Sequence, residues 1–330
     1  MSKNTVKLLI KFIVPVVILT YLFMTLDVSA LAVNMLRTNL VLFAVSFGLL
    51  CLRNVIGAYR STVLLRYRDL HFSTAALSRY YFIGNFFNLF LPEVVGRDIA
   101  RGYYLYSESA GKTESISAIV AERFIGTAAL IVMSLCSILL AAALGIDVIG
   151  NDIIRGITLV FGLFFAASIL FFHEKTDRFL KRLLPRIGLA KLRTAVEFIR
   201  DIISYSRSSA LVWYTFFVSL VFQVVGVVAT YLIALSLGNS TPFVYYLIML
   251  PVIWVLGMLP VSINGLGVRE GLFVVLFGAV GMARETALAI SLLWFVQNIG
   301  LGIIGGILFA LEGNTLARIR KYREASQDFE

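Results

Sequence analysis

Residues 82–105, FIGNFFNLFLPEVVGRDIARGYYL, and residues 255–276, VLGMLPVSINGLGVREGLFVVL, follow one plan. In each, an apolar arm runs into a break rich in Pro, Gly and Asn. A second arm then starts on an arginine followed by an acid. The arms are shorter than the roughly 20 residues of a full membrane span. Backbone that breaks at membrane depth must be satisfied by protein or by a polar cavity. The pattern therefore predicts two broken re-entrant hairpins, over 73–111 and 242–285. Paired short spans are the alternative.

The rest of the chain supports a membrane setting. It has 330 residues, of which 59% are hydrophobic and 15% charged, with a mean hydropathy of +0.90. Soluble domains run at about 45–50% apolar and about 25% charged. This excess excludes a soluble enzyme, a disordered chain and a disulfide scaffold. Long apolar runs without alternation read as helices, so the expected fold is an all-α polytopic membrane protein. The net charge is +10, from 29 Lys and Arg against 19 Asp and Glu. In a membrane protein that excess belongs to cytoplasmic loops and anionic headgroups, and no nucleic-acid partner is expected. Cys51, Cys136, His71 and His173 offer no metal-ligand spacing, so no metal and no cofactor are expected.

Six runs are long enough for full spans: 8–26, 40–59, 115–144, 153–172, 211–237 and 286–311. With two broken hairpins this gives six spans, or eight if the hairpins cross. Basic residues cluster at the N-terminus, at 60–79, at 173–208 and in the tail. Loops 27–37, 145–152 and 238–241 are poor in them. The positive-inside rule then places both termini in the cytoplasm of a cytoplasmic (inner) membrane, with 173–208 as a basic cytoplasmic loop. Residues 1–330 read as one integral membrane domain.

The same bookkeeping brings the first hairpin in from the inside and the second from the outside. Leu91-Pro92 matches Leu259-Pro260. Gly96 followed by Arg97-Asp98 matches Gly267 followed by Arg269-Glu270. AERFIG at 121–126 matches FVQNIG at 295–300. Segments 38–144 and 210–311 thus read as two copies of opposite topology, an arrangement typical of secondary transporters. The helix breaks fall at Asn88, Pro92 and Gly96, and at Pro260, Gly265 and Gly267.

A helix that restarts inside a membrane presents free N–H groups and a positive dipole end, which favour an anion. Both restarts carry arginine, whose donor fork suits phosphate. The candidate substrate-binding residues are Arg97, Asp98, Arg101, Glu122, Arg123, Asn264, Arg269 and Glu270. Glu122 and Arg123 lie roughly 10–12 Å along the third span, where ionisable groups are costly and mark function. Gln297 and Asn298, polar but uncharged, occupy the matching stretch of the second copy. Gly302 and Gly306 read as a packing pair. No catalytic residue is assigned, because no nucleotide, metal or nucleophile motif occurs.

FNLFLPEVVGRDIARGYYL and LPVSINGLGVREG resemble the two signature regions of the lysylphosphatidylglycerol synthase transmembrane-region family, the flippase-like integral membrane proteins. The resemblance spans roughly 10–312 and implies a stand-alone member without the soluble synthase domain. Many members carry Gly-Gly-Asp where this chain has Gly96-Arg97-Asp98. The resemblance implies a non-enzymatic lipid flippase that moves an anionic or polyprenyl-phosphate-linked lipid between leaflets. One alternative is a membrane-embedded lipid-headgroup transferase. The other is a non-catalytic partner of a glycosyltransferase or lipid-modifying enzyme of cell-envelope synthesis.

Overall fold

The structure is a computed structural model, and it describes residues 20–21, 24–89, 96–108, 112–146, 162, 204–205, 208–258 and 265–327. These residues form nine α-helices: α1 Val28–Leu36, α2 Leu40–Arg66, α3 Thr74–Asn88, α4 Gly96–Glu108, α5 Lys112–Ala143, α6 Ser209–Ser236, α7 Phe243–Gly257, α8 Val268–Ala279 and α9 Arg284–Gln327. The fold is all-α, as expected. Four helices are long and apolar enough to cross a membrane: α2, α5, α6 and α9 up to Glu312. The expected spans at 8–26 and 153–172 fall largely outside the described residues, as does the basic loop 173–208.

Local chemistry sets several helix ends. Asn39 caps α2 by accepting from the backbone N–H groups of Val41 and Leu42. Ser73 caps α3 and Ser208 caps α6 in the same way. Gly267 enters α8 with φ 78°, a conformation that disfavours any residue with a side chain. Glu270 then reaches back to accept from the Gly267 N–H at 2.6 Å. Pro251 stands inside α7 and removes the N–H that would bond the Leu247 carbonyl. Ser137 of α5 supplies a replacement donor, Oγ to the Leu247 oxygen at 2.9 Å.

The helices fall into two series of similar lengths. α2, α3, α4 and α5 have 27, 15, 13 and 32 residues. α6, α7 and α8 have 28, 15 and 12, and the apolar part of α9 has 29. α2 packs along α6, α3 against α9, and α7 against α5. α2 and α6 run antiparallel. Asn39 N–H donates to the Ser236 carbonyl, Ser46 to the Ala229 carbonyl and Arg60 to Ser219. The first arm of each hairpin thus leans on the last long helix of the other series.

Apolar burial does not drive helices together in lipid; close packing and interhelical hydrogen bonds do. α9 supplies the small residues. A Cβ on Gly302 would strike Leu89, one on Gly305 would strike the Phe82 carbonyl, and one on Gly306 would lie 2.9 Å from Phe86 Cδ2. Gly302 and Gly306 therefore pack as read from the sequence, and Gly305 joins them. Asn85 Nδ2 donates to Asn54 Oδ1 at 2.8 Å and joins α3 to α2.

Candidate functional site

A cavity of about 240 Å³ lies where the starts of α4 and α8 approach each other across the long helices. Six arginines line it: Arg53 and Arg60 of α2, Arg97 and Arg101 of α4, Arg123 of α5 and Arg269 of α8. Among the described residues two carboxylates, Asp98 and Glu122, share its wall. Glu122 lies about 14 Å along α5 from Thr113, close to half the thickness of a bilayer's hydrocarbon core.

Glu122 is 3% exposed and is saturated with donors. Arg60 Nη2 and Arg101 Nη2 each donate to it at 2.6 Å. Ser61 and Tyr81 hydroxyls donate short bonds to the same carboxylate. A carboxylate offers about four lone-pair sites, so these four bonds fill it. Arg101 also donates to Ser61 Oγ at 2.7 Å and lies 3.9 Å from the Tyr81 ring centroid. Arg60 Nη1 reaches Ser219 on α6 at 2.7 Å. One buried charge thus binds α2, α3, α4 and α5 together, with α6 attached through Arg60. It is the counter-charge that lets two arginines sit buried among the helices.

The remaining charges are arranged differently. Asp98 pairs with Arg123 and, at 3.5 Å, with Arg101. Arg269 Nη2 donates to Glu270 at 2.5 Å, its Nε donates to Ser291 at 3.2 Å, and its guanidinium sits 4.7 Å from the Trp294 ring centroid. Glu270 is fully buried, holds Arg269 and the Gly267 N–H, and does not line the cavity. Arg53 lies 4.0 Å from the Phe222 ring centroid and donates to the Phe222 carbonyl and Gln223.

Arg97 stands apart. Its side chain makes no hydrogen bond or ion pair among the described residues, and its Nε is buried without an acceptor. Its stem packs on Gly84, where a Cβ would come within 2.8 Å of Arg97 Cγ. Arg60 Nε and Trp294 Nε1 are buried donors without an acceptor too, and both residues line the same cavity. Buried donors rarely go unpaired. Among the described residues the cavity's lining has more positive charge and more donors than its carboxylates can match. Its complement is a compact anion with several oxygens.

The structure places Arg97, Asp98, Arg101, Glu122, Arg123 and Arg269 around one cavity. Glu270 stands behind the cavity, holding Arg269 and the Gly267 N–H. Asn264, Pro92 and Pro260 lie outside the described residues. Asn88 ends α3, Gly96 begins α4, and Gly265 and Gly267 shape the entry to α8. Sequence reasoning placed Arg60 in a cytoplasmic loop. It is instead 7% exposed within α2, which continues to Arg66. The missed signal is spacing: Arg53, Gly57, Arg60 and Ser61 recur at helical intervals on one face. Among the described residues no His, Cys, Asp and Glu cluster has the make-up of a metal site.

A family model described as "Lysylphosphatidylglycerol synthase TM region" matches residues 8–306. A search of curated proteins gave no match.

Proposed function

We propose a transport function for this chain, which belongs to the lysylphosphatidylglycerol synthase TM region family and so to the multi-pass membrane proteins of lipid or cell-envelope metabolism. In this reading it carries an anionic or phosphate-linked lipid from one leaflet to the other. The lipid phosphate sits among Arg97, Arg101, Arg123 and Arg269. The single observation behind the reading is the cavity's imbalance among the described residues: six arginines, two carboxylates and three unmatched buried donors.

Transport is favoured over headgroup transfer because the described carboxylates around the site are already engaged. Glu122 accepts four bonds, Asp98 pairs with Arg123, and Glu270 caps α8. None is placed as a free acid or base. The two helix series support alternating access. Their matched lengths, and the antiparallel run of α2 against α6, are what two copies of opposite topology would give. Rocking of one series against the other would expose the cavity to each leaflet in turn. The orientation proposed is that of the cytoplasmic membrane with both termini inside.

The direct test uses the residue with no structural bond to lose. Arg97→Gln should leave thermal stability unchanged and reduce the anionic lipid that co-purifies, read by mass spectrometry. Loss of one charge-assisted contact, worth about 1.5–3 kcal/mol, corresponds to about 10–100-fold in affinity. Lipids that match the bulk membrane in both proteins would sink the headgroup site. Topology has its own test. In a Cys51→Ala, Cys136→Ala background, Ser107→Cys and Arg284→Cys should be labelled by impermeant reagents from opposite faces. Both positions are exposed. Labelling from one face would remove the inverted arrangement.

A further inference from the structure

A second, larger space adjoins the arginine cavity. It is a groove of about 760 Å³ between α4 and α5, walled by Gly102, Tyr103, Tyr106, Ile116, Val120 and Phe124. Asp98, Ile119, Arg123 and Thr127 border both spaces. The groove is therefore continuous with the cavity, and the charged pair at their shared wall is Arg123–Asp98.

Size separates the two spaces. Sites that enclose a whole small molecule run to about 300–1,000 Å³. The arginine cavity, at about 240 Å³, falls below that range and suits a polar headgroup alone. The groove lies inside the range, and its wall is almost wholly apolar. Its rim residues Ile99, Tyr103 and Tyr106 are exposed. The shared pair is also the least enclosed ion pair in the cavity, with side chains 37% and 22% exposed. Such a pair is held weakly and can part, unlike the saturated Glu122 cluster.

We propose that the α4–α5 groove holds a hydrocarbon chain of the same lipid whose phosphate occupies the arginine cavity. The Arg123–Asp98 pair is the threshold between the two. The inference rests on the headgroup reading above and adds where the tail goes. The occupant follows from the charge at one end of the groove. An apolar wall that leads into a cationic, donor-rich pocket complements an amphiphile with an anionic head. The lipid then keeps its tail on the α4–α5 side of the protein while its head crosses.

Gly102 gives the means to test this. A Cβ built there meets only Ile119 Cδ1, at 3.7 Å, an ordinary contact. A larger side chain has the groove to fill, and leucine is a better helix former than glycine. The full chain would be purified as wild type, Gly102→Leu and Ile116→Trp, which fills the groove from the opposite wall. Two quantities would be read: co-purified lipid per protein, and the thermal stabilisation given by glycerol 3-phosphate, which has a phosphate and no tail. The expected result is a loss of lipid of about tenfold or more in both variants, the size of effect that a lost fit in an apolar pocket gives. Stabilisation by glycerol 3-phosphate should persist. If lipid retention in Gly102→Leu equals wild type, the groove is not the tail site and the headgroup reading stands without it. If wild type neither retains lipid nor responds to glycerol 3-phosphate, the headgroup reading fails and this inference falls with it. Should either variant fail to fold, Gly102→Ala gives the same comparison with a partial loss expected; no loss there would overturn the proposal.

Discussion

Glu122→Ala should yield little or no stable protein. The substitution strips the counter-charge from Arg60 and Arg101, which are 7% and 4% exposed. Removing one partner of a buried pair costs about 3–5 kcal/mol, and here two arginines lose the same carboxylate. Whole folds are stable by only about 5–15 kcal/mol. Ser61 and Tyr81 hydroxyls lose their acceptor as well. Size-exclusion profiles and melting curves in detergent would show a collapsed yield or a large fall in Tm. The same arithmetic predicts a rescue. Glu122→Leu combined with Arg60→Met and Arg101→Met replaces the three charges of the cluster with apolar groups and should recover much of the stability. That triple variant should still lose lipid retention, because Arg101 is gone from the cavity. A wild-type melting curve for Glu122→Ala would mean that other groups neutralise these arginines.

Gly305→Ala carries the second large effect, and packing causes it. A Cβ at Gly305 collides with the backbone carbonyl of Phe82, with the carbonyl carbon at 2.6 Å and the Ile83 nitrogen at 3.1 Å. Backbone in the middle of a helix cannot swing aside, so α3 as a whole must retreat from α9. Overpacked interiors typically lose about 1–3 kcal/mol, and a backbone clash belongs at or beyond the upper end. Gly306 faces only the Phe86 side chain, which can rotate. Gly305→Ala should therefore lower Tm clearly more than Gly306→Ala does. α3 also positions Tyr81, so lipid retention should fall together with stability. Equal melting of the two variants would show that α3 and α9 do not approach this closely.

Much of the fold was readable because membrane physics constrains it tightly. Apolar run length predicted α2, α5, α6 and α9 to within a few residues at most ends, and the short arms beside the Pro, Gly and Asn breaks are the short helices α3, α4, α7 and α8. The arginines of the restarts could be found because charge beside a helix break is expensive without a purpose. Arg60 escaped that logic. Positive-inside counting assigns an arginine at a span's end to the aqueous side, and only its partner 62 positions on, Glu122, shows otherwise. Glu270 was legible as important but not as a cap, because the same Arg-Glu pair serves contact or support depending on which way the carboxylate turns. Gly305 was hidden between two better-spaced glycines. Its role depends on α3, a helix that no local pattern ties to α9.

That crossed arrangement also bears on how the protein is made. α3 leans on α9, and Ser46 of α2 bonds Gln297 of α9, 251 residues apart. The first hairpin is synthesised long before its cover exists. At typical rates of about 5–20 residues per second, the ribosome leaves α3 without α9 for more than ten seconds. During that interval the face of α3 that α9 will cover must be shielded by lipid, water or an insertion chaperone. Neither series can complete its own interior, so a nascent chain stalled before α9 has no native resting place. Quality control of this protein should therefore act late, at the emergence of its final helix.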